Sequence, residues 1–368
     1  MNKSLNEKLI NFINDIAENV FIVQFVISTI GLVMNVPHLL ILLHNSMRTS
    51  STNSIMIGIA ICDLIVLSEN VYERVQGYWF FGSQNPCIND SKFWYMYSLL
   101  IGDFLQTVFE RASYWLGVSL AFTRLVIMKM SGTTLKISKP LFGYLLILAL
   151  VGLSSVLSAY YYCGYSIAQW GTWEPEKKCT GYPANYSEPT YYRNFADNEN
   201  LFKISRRYQM INGVSRANLN FVDSRKLNFF RFFVSYPIST ILLIFEIQKS
   251  AKFASEALSK RSSEDRHRTC RMILVMTIFY VIASTPAGIS EYVQLFVKIK
   301  PNSILETLVG YGSIFISALF CLNASLHGII NFTMSSKYRE TVRKCLGMEK
   351  QQKTSMTFVS VSRSNSHI

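Results

Sequence analysis

Seven apolar runs, each long enough to cross a bilayer as a helix, alternate with polar stretches along the chain. They run from Val20 to Leu43, Ser54 to about Val71, Leu99 to Lys129, Leu141 to Tyr162, Leu227 to Ile247, Met272 to Val297 and Ile304 to Asn331. The third differs from the others because it carries Asp103, Gln106, Glu110, Arg111, Ser113 and Arg124. On a helix of 3.6 residues per turn, all of these except Arg111 lie within roughly 60° of the Arg124 direction. A lipid-facing helix cannot carry such a stripe, since each charge near the bilayer centre costs about 3 kcal/mol or more. The third span is therefore predicted to stand at the centre of an all-α seven-transmembrane bundle, with Arg124 at a membrane–water boundary.

Other spans carry isolated polar residues. Asn35 lies in the first, four residues after Gly31, and a buried Asn in a membrane helix usually bonds a neighbouring helix. Asp63 is the one carboxylate in the middle of the second; it reads as a functional group or as a hydrogen-bonding hub. Pro237 and Pro286 lie inside the fifth and sixth spans, where a missing N–H kinks a helix. In the seventh, Asn323 and His327 are four residues apart and share a face. His327 and Asp63 near each other could titrate, or His327 is a satisfied structural residue.

Between and beyond the spans, residues 1–19 are polar and 20–333 form the bundle. Residues 334–347 alternate basic and apolar residues at helical spacing and predict a short amphipathic helix on the inner leaflet. Cys345 beside it is a candidate lipidation site or a plain free thiol. The Ser/Thr-rich tail, 348–368, is expected to be disordered. The short loops after spans one, three and five, with the tail, hold 19 Lys/Arg, which places them in the cytoplasm and the amino terminus outside. Sequons at Asn2, Asn89 and Asn185 fall on that outer side, as do Cys87, Cys163 and Cys179.

Composition narrows the class. Half of the 368 residues are hydrophobic and 16% charged, which opposes a soluble globular domain. The net charge of +13 could suggest nucleic acid, but the basic residues cluster between apolar runs as membrane topology requires. Nucleic acid is therefore not an expected partner. No metal-ligand spacing appears among the seven Cys, and no Gly-rich phosphate loop. Paired repeats that would mark a transporter are absent, and residues 304–333 have no lysine for a retinal linkage. Nor does a nucleophile–base pair suggest an enzyme.

Several stretches taken together carry a family resemblance. They are Met47 to Asn53, Ile59 to Asp63, Arg111 to Arg124, Thr285-Pro286-Ala287-Gly288, and Asn323 to Val342. In order and spacing they resemble a rhodopsin-like G-protein-coupled receptor, most closely the nematode serpentine chemoreceptors of class W, which are related to FMRFamide-type peptide receptors. The resemblance implies a plasma-membrane receptor with an extracellular amino terminus and no enzymatic activity. Its partners would be an extracellular peptide, neuropeptide-like or environmental, a heterotrimeric G protein, and membrane lipid. A chemosensory receptor for a non-peptide small molecule and a non-signalling membrane protein are the alternatives. By position, Asn35, Asp63, Ser113, Asn323 and His327 form the polar switch network, Arg124 meets the G protein, and Pro237 and Pro286 are kink prolines. No cofactor is implied beyond a sodium ion near Asp63. The ligand pocket would be lined by Asp103, Gln106 and Glu110 of the third span and by Glu291 and Tyr292 of the sixth, which suits a basic ligand. Alternatively, Glu110 pairs with Arg111 or with a base on another helix.

Departures from the family pattern are as informative. Thr123 replaces the acidic residue before Arg124, Ser284 the aromatic before Pro286, and His327-Gly-Ile-Ile-Asn331 the usual seventh-span motif. Leu99 stands where a cysteine is usual, so Cys87 would serve in a disulfide, with Cys179 or Cys163 as its partner.

Overall fold

A computed structural model of the chain describes residues 3–76, 87–129, 136–195 and 303–348, together with Val275, Ile278, Phe279, Ile282, Ala283, Pro286 and Val293, which are all helical. Helices α1 (Lys3–Leu43), α2 (Ser51–Val75), α3 (Phe93–Lys129) and α4 (Pro140–Tyr162) come first. A two-stranded antiparallel sheet, β1 (Tyr165–Trp173) and β2 (Glu188–Phe195), follows. The described chain ends in α5 (Ile304–Met334), which is the seventh span, and α6 (Ser336–Cys345). Among the described residues four helices are long and apolar enough to cross a membrane: α1, α2, α4 and α5. The polar stripe keeps α3 off that count by composition, although its 37 residues extend about 55 Å.

Local signals explain the helix ends. Ser50 caps α2, its Oγ accepting from the Asn53 N–H at 3.4 Å. Pro140 opens α4 at its first turn, where a missing N–H costs nothing. Ser303 caps α5 by accepting from the Glu306 N–H, and Glu306 adds negative charge at the positive end of the helix dipole. Two features differ from expectation. Helix α1 begins at Lys3 because Leu5, Leu9, Phe12, Ile13 and Ile16 continue the helical apolar period through the polar stretch. The all-α expectation also missed the hairpin, whose strands pair from Tyr165 with Phe195 to Trp173 with Glu188, with a register shift between Gln169 and Gly171.

Helix α2 is the hub. It packs against α1, α3, α4 and α5, and its middle is buried nearly all round, from Ser51 through Ala60. By contrast α4 buries only Gly143, Ser154 and Ser158 and presents residues such as Leu148 and Val156 outward, as a lipid-facing helix does. Small residues set the closest approaches. At Gly31 the α5 residue Ser325 comes so near that its Oγ would lie 2.1 Å from an added Cβ. At Gly143 the Ser51 carbonyl would lie 2.6 Å from one. Of the sixth span, Val275, Phe279 and Ala283, spaced four apart, pack on the core.

Candidate functional site

Four helices turn polar side chains into one buried cluster. Asp63, near the middle of α2, has no exposed surface. Ser113 of α3 donates its hydroxyl to Asp63 Oδ1 at 2.8 Å, and Nδ1 of His327 on α5 donates to Oδ2 at 2.7 Å. Both carboxylate oxygens are thus engaged, which a charge this deep requires. Asn35 of α1 donates from Nδ2 to the carbonyls of Gly31, 3.0 Å away, and Ala324 of α5, 3.1 Å away. Asn331 donates back to the His327 carbonyl at 2.9 Å. The structure therefore brings Asp63, Ser113 and His327 into direct contact and fastens Asn35 one turn away. Asn323 is buried in the same region, yet its amide makes no hydrogen bond among the described residues.

This donor set bears on the sodium ion that the resemblance implies. Sodium is a hard cation that seeks oxygen lone pairs, as calcium does. Here a ring N–H points at one Asp63 oxygen and a hydroxyl hydrogen at the other. With a donor hydrogen aimed at each oxygen, the Asp63 carboxylate does not present the oxygen lone pairs that the ion needs, and in this arrangement it does not fit the ion.

The cluster continues in both directions. Towards α6, His38 of α1 and Tyr338 join through Nδ1 and the phenol oxygen at 2.8 Å, with Tyr338 buried. Bonds from Ser46 to Thr341 at 3.0 Å and from Lys337 to Thr49 at 2.9 Å finish the docking of α6. Burial holds the Tyr338 phenol well above its ordinary range. Towards the opposite face, Gln24 of α1 donates to Asn70 of α2 at 2.6 Å and to Ser317 of α5 at 2.7 Å. Sequence reasoning missed this triad. Its signal was a lone amide in the apolar run Val20–Phe25.

On that same side a shallow open cleft lies between α2 and α3. Glu69, Glu73, Asp103 and Gln106 line it. Asp103 is ion-paired with Arg193, which projects from β2. Of the expected pocket residues, Asp103 and Gln106 are in the cleft; Glu110 is not among its lining residues but buried in the bundle. Glu69, Glu73 and Arg193 were not anticipated there. Arg111 points the other way, as the helix projection requires, donating to the Ser154 carbonyl at 3.2 Å and Ser158 Oγ at 3.0 Å on α4.

The hairpin is tied down beside this cleft. Cys87 and Cys179 form a disulfide, so Cys163 remains a free, exposed thiol. Lys92 pairs with Glu188 at 3.1 Å, and Tyr186 donates to the same carboxylate. The Tyr186 hydroxyl, with Lys92 and Asn89, holds the Glu188 carboxyl below the usual carboxylate range. Asn89 corrects an expectation. It is only 2% exposed, and its Nδ2, the atom a glycan would occupy, donates to Glu188 and to the Pro189 carbonyl. A sugar at Asn89 is incompatible with this fold. Asn185 is exposed in a left-handed turn and has room for one.

The remaining candidates separate by position. Arg124 lies in α3, but its side chain is outside the described residues, as are Asn2, Pro237, Glu291, Tyr292 and the tail beyond residue 348. Thr123 beside Arg124 is buried. Pro286 sits in helical backbone, and Cys345 is exposed at the end of α6.

A central polar helix, a buried Asp shared by α2, α3 and α5, and a short docked helix after the last span together have the plan of a receptor bundle. Residues 22–349 match the family model for the serpentine type 7TM GPCR chemoreceptor Srw. The chain belongs to the Srw family. It is thus a multi-pass membrane protein of the seven-transmembrane receptor class. No curated protein matches it.

Proposed function

We propose that this Srw receptor binds an extracellular basic peptide, neuropeptide-like or environmental, and activates a heterotrimeric G protein from the plasma membrane, with its amino terminus outside. The observation that carries this reading is the cleft between α2 and α3. Glu69, Glu73 and Asp103 face it or line it, and Arg193 supplies a single guanidinium against these three carboxylates. The cleft keeps an excess of negative charge that a ligand cation would offset. Arg193 supports this reading: a ligand guanidinium that displaces it would make the same charge-assisted bonds. Displacement would free the hairpin end of β2, and a ligand preferring that arrangement would shift the bundle towards the active state. Arg124, towards the opposite end of α3, would meet the G protein.

The test is a calcium or cAMP readout in cells that display the receptor, screened against amidated basic peptides. Asp103→Asn removes one charged partner and is expected to lower agonist potency about tenfold or more. Arg124→Ala should abolish the response while surface binding persists. Silence across the peptides with normal surface display, or potency unchanged in Asp103→Asn, would sink the peptide reading and leave the small-molecule chemoreceptor in its place.

A further inference from the structure

The disagreement between the Asp63 site and a metal ion has a consequence for the receptor. We propose that the His327 imidazole takes the place of a cation beside Asp63, so that the core of this receptor is held closed by its own side chain and is indifferent to sodium. Two observations carry this. First, the 2.7 Å bond from His327 Nδ1 to Asp63 Oδ2 is fully buried, with both side chains at most 1% exposed. Second, Ser113 Oγ fills the other oxygen at 2.8 Å with a hydrogen rather than a lone pair.

The buried Asn323 amide and the amide oxygens of Asn35 and Asn331 lack partners among the described residues. Such groups are the kind that ordered water satisfies. The metal would bring α2, α3 and α5 together only at a sufficient concentration in the surroundings. A donor attached to α5 does so at any salt composition. This reading is independent of the ligand and stands or falls separately from the peptide proposal.

Thermal unfolding of the full-length detergent-solubilised receptor tests it, followed with a thiol-reactive dye that reports exposure of the buried Cys62 and Cys321. Sodium chloride is compared with choline chloride at a constant ionic strength of about 0.15 M. The wild-type midpoint is expected to be the same in both salts. His327→Asn removes the ring, opens the oxygen lone pairs of Asp63 and adds an amide oxygen. Its midpoint should rise by about 2 °C in sodium, the shift for an ion in several-fold excess over its Kd. Adding Asp63→Asn to that variant should erase the rise. A wild-type midpoint raised by sodium overturns the proposal, and that arm needs no variant to fold. A His327→Asn receptor that folds but ignores sodium also overturns it, because something other than the imidazole would then exclude the ion. His327→Gln serves as the second variant if the Asn form does not fold.

Discussion

Substituting Gly31 by alanine should weaken the seam between α1 and α5, and the structure says by how much and through which atom. The new Cβ would lie 2.1 Å from Ser325 Oγ, 3.1 Å from Ser325 Cβ and 3.2 Å from Leu67 Cδ1. The first contact is intolerable, so the Ser325 hydroxyl must rotate away from the Cys321 and Ile27 carbonyls that it now serves at 2.7 and 3.3 Å. Losing those bonds costs about 1 kcal/mol. Crowding of the displaced hydroxyl against the new methyl and its surroundings costs about 1–3 kcal/mol more. Alanine returns about 1 kcal/mol through its higher helix propensity. The net loss is about 1–3 kcal/mol, which lowers the unfolding midpoint by several degrees. Because the worst contact is one side-chain atom, Ser325→Ala should rescue it. The double variant is expected within about 0.5 kcal/mol of wild type, a coupling that a double-mutant cycle reads directly. Melting curves of the four purified proteins decide the matter. Equal losses in Gly31→Ala with and without Ser325→Ala would refute the reasoning, since no other atom near Gly31 is both this close and removable. Gly143→Ala is the contrast. There the close atoms are the Ser51 carbonyl and Ser54 Cβ, each 2.6 Å away, and no truncation to alanine removes either.

Other predictions follow from the same coordinates. Asn185→Gln should remove a glycan seen as a shift in electrophoretic mobility, whereas Asn89→Gln should leave the mobility unchanged and loosen the hairpin. Because the Glu188 carboxyl is held below its ordinary value, its contribution to hairpin docking is fully present above the unfolded carboxylate range near pH ~4.3 and lost as pH falls through the lower folded value. The protection of residues 188–195 against hydrogen exchange, relative to their intrinsic rates at each pH, should therefore be steady from neutral pH down to about pH 5 and fall only in stronger acid, and Glu188→Gln should flatten that fall. Tyr338→Phe keeps the ring but strips His38 of its partner, costing about 1–3 kcal/mol; faster exchange across α6 with the bundle protected is the expected reading, and unchanged exchange would show that the hydroxyl does not fasten α6.

Much of this receptor is legible without coordinates. Hydropathy has a short period, so a window of about 20 residues locates a span and a helical projection separates Arg111 from the stripe that holds Asp103 and Ser113. Those are local properties of the chain. The polar residues at the heart of the bundle were legible too, since a charge in lipid stands out wherever it pairs. Their partners were not. His327 reaches Asp63 across 264 residues and Arg193 reaches Asp103 across 90. Such meetings depend on the rotation and crossing of whole helices, which small residues such as Gly31 and Gly143 set by how closely they let backbones approach. The choice of Cys179 over Cys163 and the burial of the Asn89 sequon arise in the same way, from the docking of a hairpin that the aromatic, mixed-polarity loop did not announce. Order along the chain determines which segments enter the membrane; helix packing decides which oxygen of Asp63 receives which hydrogen, because that geometry exists only after the helices have met.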